Sequence, residues 1–135
     1  MMTRITHLTA FVIIVTLTCA GAVSAETQVG TAVDVAPEVE NTRLQTWPRA
    51  AWSASAQCWL VVWREGDLNE HETDIWCARV SADGTVIDPA GMRITSAGDV
   101  QDRPVVASNG KDFLVAWQDL RNGKSWDVYA ARVTA

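Results

Sequence analysis

Histidine is nearly missing from this 135-residue chain, which holds only His7 and His71. That scarcity excludes a histidine-based metal cluster and leaves any Ser-His-Asp triad dependent on one loop residue. No G-x-S-x-G, H-E-x-x-H, Walker-type phosphate loop or dinucleotide fingerprint occurs. The cysteines form no C-x-x-C pair. Positive charge is short as well: 11 Lys and Arg against 16 Asp and Glu give a net charge of −5. This balance argues against nucleic acid or an anionic membrane surface as a partner. Helical periodicity is lacking beyond the first 25 residues, and so is any second long apolar run. At 48% apolar residues the chain is nevertheless too hydrophobic for disorder. Tyrosine (one) and phenylalanine (two) are sparse, whereas tryptophan is abundant at seven.

The first 25 residues read as an address. Arg4 lies in an acid-free start, an apolar run follows at Leu8–Leu17, and small residues lead to Val23-Ser24-Ala25. A charged start, a short apolar core and an A-x-A-like site predict a secretory signal peptide cut before Glu26. Its removal takes away Arg4 and no acid, leaving the remainder one unit more negative. Cys19 offers a lipid-anchor alternative, but Thr18 and Thr16 occupy positions where lipid attachment wants a small residue and a leucine. A secreted or periplasmic product without a membrane span is therefore expected. Cys58 and Cys77 remain, and in an oxidising compartment they are a disulfide candidate; the alternative is two buried thiols.

The rest of the chain matches itself. The segments Trp59-Leu60-Val61-Val62-Trp63 and Asp74-Ile75-Trp76-Cys77-Ala78-Arg79-Val80 align with Phe113-Leu114-Val115-Ala116-Trp117 and Asp127-Val128-Tyr129-Ala130-Ala131-Arg132-Val133. Pro48 aligns with Pro104, so the period is near 54 residues, a length typical of propeller blades or solenoid units. WLVVW and FLVAW are apolar on both alternating faces, as in strands covered on two sides. Asn109-Gly110 between apolar runs predicts a hairpin. Asp88–Gly91 predicts a turn before an edge strand at Met92–Thr95, with Thr85–Ile87 pairing briefly. The resulting expectation is an all-β fold with two four-stranded antiparallel, propeller-blade-like units. Residues 1–25 form the leader, 26–47 a linker or strand completing a blade, 48–103 the first unit and 104–135 an incomplete second.

The pattern P-x-V-A-x-N-G-x-x-F-L-V-A-W-x-D-x-R-x-G, continuing through D-V-Y-A-A-R-V, resembles the Trp-containing repeats of secreted bacterial proteins. The resemblance spans residues 48–135 and implies a β-propeller architecture while saying little about activity. Two blades cannot close a ring of roughly four to eight. Their two uncovered faces would expose about 600 Å² together, at the upper end of what a monomer tolerates. Self-association or further repeats of a longer chain are the expected partners, and Val29–Val35 could supply a missing outer strand.

Candidate sites are few. Trp47, Trp52 and Trp126 lack aromatic counterparts in the other unit, so their expected role is either to cover a neighbouring blade or to stack on a glycan. Asp67, Asn69, Glu72 and Asp74 crowd one loop with oxygen ligands, a weak pattern for Ca²⁺ without EF-hand spacing. Asp74/Asp127 and Arg79/Arg132 recur at equal spacing, as turn-holding acids and surface cations or as a repeated ligand site. No catalytic residues are expected. The functional expectation is a secreted, non-catalytic structural or interaction module, with a lectin-like carbohydrate binder and a fragment of a hydrolase as alternatives.

Overall fold

Seven strands and no helix make up the described residues of the computed structural model, which are 30–36, 43–67, 69 and 71–135. The expected leader, Met1–Ala25, lies outside them. Strands β1 (Arg43–Ser53), β2 (Cys58–Asp67), β3 (Thr73–Ser81) and β4 (Met92–Arg93) form an antiparallel sheet in that order. A second antiparallel sheet holds β5 (Gln101–Ser108), β6 (Phe113–Asp119) and β7 (Asp127–Val133). No helix among the described residues is long and apolar enough to cross a membrane.

Local chemistry accounts for the connections. Between β5 and β6, Asn109 Oδ1 accepts hydrogen bonds from the amides of Lys111 and Asp112, and Gly110 takes φ 89°. That left-handed position favours glycine, so the expected hairpin forms where it should. After β3, the Ser81 and Asp83 side chains accept the Thr85 amide, and a single bridge joins Val80 to Val86. The edge strand shrinks to two residues, although Ile94 still donates its amide to Ile75 O.

Two expectations shift. β1 begins at Arg43 and β5 at Gln101, so Pro48 and Pro104, expected to open the two units, lie inside strands. Each is part of a β-bulge, between Thr46 and Arg49 and between Asp102 and Val105, where a proline without an amide hydrogen is tolerated. Residues 30–36 form no strand. There the Asp34 carboxylate accepts the Ala36 amide at 3.2 Å, a local turn that competes with sheet pairing.

The two sheets pair their strands in the same register. Arg49↔Val62, Ala50↔Val61 and Ala51↔Leu60 have counterparts in Val105↔Ala116, Val106↔Val115 and Ala107↔Leu114. Trp63↔Trp76 likewise corresponds to Trp117↔Tyr129. One apolar cluster joins the sheets, with Cys58, Leu60, Val62, Ile75 and Cys77 meeting Phe113, Val115 and Trp117. Each large apolar side chain buried there contributes about 1.5–3 kcal/mol. Polar links pin the rims: Arg64 to Asp102 at 3.3 Å, Thr73 Oγ1 to Gln101 O at 2.6 Å, and the Ser55 amide to Gly110 O at 2.8 Å.

Candidate functional site: the two sheet faces outside the shared core

Strand alternation gives each sheet two faces, and the shared core uses one from each. Sheet one contributes Cys58, Leu60, Val62 and Ile75. Sheet two contributes the alternate set, Phe113, Val115 and Trp117. The residues of sheet two that correspond to the buried face of sheet one therefore point away from the core. Leu114 (for Leu60) is 55% exposed and Val128 (for Ile75) 79%, and Val105, paired with Ala116 on the same face, is 54% exposed. Large apolar side chains exposed together on one sheet face mark a contact site.

The outward face of sheet one carries the counterparts of the other half of the core. Trp59 stands where sheet two has Phe113, yet it is 43% exposed while Phe113 is buried. Its ring lies 5.2 Å from Trp52 at a tilt of 56°. Further along the same face Trp63 is buried, and it shares a cleft of roughly 250 Å³ with Val35, Ala36 and Pro48. The face is thus open at its Trp52–Trp59 end.

Both sheets fix a tryptophan with a carboxylate two residues on. The Trp63 indole donates to Glu65 Oε2 at 3.2 Å, and Trp117 to Asp119 Oδ2 at 2.8 Å. Glu65 also accepts from Gln45 and Arg43 of β1. Asp119 is instead gripped by Arg121, whose Nε donates at 2.8 Å and whose guanidinium lies 3.7 Å over the Tyr129 ring. Burial alone would raise the Asp119 pKa, but the hydrogen bonds from Arg121 and Trp117 outweigh it and hold the carboxyl at about 2. These buried acids are committed to indole and guanidinium partners, a packing role.

At the bulges, Trp47 and Arg103 both adopt positive φ, 57° and 50°, immediately before a proline. Neither residue type favours this region, so the conformation stores strain. The Arg103 guanidinium lies 5.6 Å from the Trp47 ring centroid. Both side chains are exposed, giving an aromatic and cationic corner at the bulges of the edge strands β1 and β5. The sequence signal for this corner was the pair of X-Pro dipeptides, in which the bulge itself is invisible.

The glycan candidates are not gathered. Trp47 sits at the bulge of β1, Trp52 near its far end, and Trp126 in the loop before β7. Among the described residues no ring contact joins any two of these three. Trp47 and Trp126 are exposed, and Trp52 is half-buried against Trp59.

The disulfide candidate is corrected: Cys58 and Cys77 are free and buried. Cys58 faces Ser81 across the β2–β3 ladder, whereas Cys77 faces Val62, four positions away. At about 3.4 Å per residue that offset exceeds the ~7 Å limit for a bridge. Burial pushes the Cys77 thiol up to about 12, so it is an unreactive core group.

The oxygen-rich loop is not assembled for a cation. Asp74 turns inward to pair with Arg93, and burial still raises its pKa. Asp67 accepts the His71 amide at 3.0 Å, and Asn69 and Glu72 point to solvent. Among the described residues no three His, Cys, Asp or Glu side chains converge on a metal position. The recurring Asp and Arg positions differ in their partners. Arg79 pairs with Asp88 and Arg132 with Asp112, while Asp127 accepts from Asn122. That is local fastening rather than a repeated ligand site.

Comparison with protein-family models, with curated proteins and with solved structures returns no match for the chain.

Proposed function

We propose that the chain is a secreted, non-catalytic β-propeller-type module. In this reading the two sheets are neighbouring blades, and their role is to pack against further sheets of the same kind in a larger or oligomeric assembly. One observation carries it: the uncovered face of sheet two bears the counterparts of the very residues that sheet one buries. A surface with the register and apolar character of a core half is complementary to another such half. The leader-like Met1–Ala25 supports export to the periplasm or beyond. The near absence of histidine and of any nucleophile motif supports a role outside catalysis. The resemblance to Trp-containing secreted repeats points the same way.

A second reading, lectin-like glycan binding, is favoured by the exposed Trp47–Arg103 corner and by exposed Trp126. Exposed indoles stack on sugar rings, and a cation beside one selects acidic sugars. A photoreactive residue placed at position 128 separates the two. Protein adducts from position 128, absent from a control in the loop at position 97, are the expected result. No adduct from the sheet face, together with glycan binding lost in Trp47→Ala or Trp126→Ala, overturns the module reading in favour of the lectin-like one.

A further inference from the structure

The interface inside the chain is a template for one between chains. Within the core, Phe113 belongs to the cluster that contains Cys58, Leu60 and Ala51. Through the shared register, the counterparts of those three on sheet two are Asp112, Leu114 and Ala107. These same residues line an open cleft of roughly 310 Å³ on the uncovered face, rimmed by Ser108 and Arg132. The counterpart of Phe113 on sheet one is Trp59, whose ring is exposed at the open end of the opposite face. Knob and hole of one interface are therefore both present, both uncovered, and on opposite sides of the same molecule.

Resting on the module reading above, we infer that a second copy of this chain seats its Trp59 in the Ala107–Leu114 cleft, head to tail. The chemistry of the cleft fits an indole. Leu114 and Ala107 provide an apolar floor, and Asp112 at the rim is an acceptor for the indole N–H. Arg132, held 2.9 Å from Asp112, presents a guanidinium to the ring. Trp52, packed against Trp59, widens the inserted surface. Because the two docking faces differ, the contact is heterologous. Such a contact repeats from copy to copy until a ring closes or a filament grows.

The geometry demands a specific pattern in light scattering of the purified protein. The wild type is expected at a multiple of the chain mass. Leu114→Lys destroys the cleft and Trp59→Lys destroys the knob, so each alone is expected to run as a single chain. Mixing the two variants restores one intact interface and is expected to give a 1:1 dimer and nothing larger. Both positions are exposed, and unchanged far-ultraviolet circular dichroism verifies that both variants fold. A folded wild type that stays monomeric at tens of micromolar overturns the inference. So does loss of association in Leu114→Lys alone with none in Trp59→Lys, which signals a symmetric contact. If the wild type is monomeric while position 128 still yields adducts with another protein, the second-copy inference fails and the module reading stands.

Discussion

Phe113 and Trp59 occupy matching places in matching registers, yet one is sealed and the other is 43% exposed. The same contrast separates Leu60 from Leu114 and Ile75 from Val128. Burial in this protein is set by which face of a sheet meets the other, not by the residue type at a given strand position. Two similar sheets stacked in one direction necessarily cover unlike faces. The leftover surfaces are then complementary to each other rather than alike, which is why the contact they favour is head to tail.

The sharpest way to break this comparison is to truncate matched residues. Phe113→Ala is expected to cost about 3–5 kcal/mol in urea unfolding, whereas Trp59→Ala in the single chain costs under about 1 kcal/mol. Equal losses would mean that both faces are covered. A smaller effect is expected near the end of β2, where the two sheets diverge. Gly66, which aligns with Leu120 in the second sheet, leaves no room for a side chain. A Cβ there would come within 2.3 Å of Thr73 Cγ2 and 2.6 Å of Glu72 O. Gly66→Ala should therefore lower stability by about 1–3 kcal/mol in the same measurement.

Acid titration sharpens the comparison of the two tryptophan–carboxylate pairs. Asp119 has a folded pKa near 2, below its ordinary value of 3.8. Its contribution is thus fully present above pH about 4 and is lost as pH falls towards 2, on the order of 2 kcal/mol. Asp119→Asn should flatten that part of the stability–pH curve, and an unchanged acid limb would contradict the assignment. The smallest effect is expected from reductant. With Cys58 and Cys77 free, dithiothreitol should leave the urea midpoint where it was, and alkylation of both thiols should require unfolding. A midpoint that drops on reduction would show a bridge.

Much of this architecture is legible in the residues alone. The Asn109-Gly110 turn, the apolar strands around Trp63 and Trp117, and the turn at Asp88–Gly91 all follow from local chemistry, and local chemistry is written residue by residue. The bulges at Trp47 and Arg103 were not legible, because a proline marks a strand start as readily as a bulge until the neighbouring ladder is known. Cys58 and Cys77 looked like a possible pair because their spacing along the chain says nothing about their offset across a ladder. The crowded acids at Asp67–Asp74 looked like ligands because Arg93, which occupies Asp74, lies 19 residues further on.

The sequence by itself determined the β-rich character, several turns and the likeness between residues 48–82 and 104–135. The tertiary structure alone decided which face of each sheet became core. Segments such as WLVVW and FLVAW are apolar on both sides, so a period of two carries no preference between their faces. Only the stacking of one sheet on the other breaks that tie. It does so by burying Phe113, Val115 and Trp117 against Leu60 and Val62 while leaving Leu114 and Trp59 on the outside.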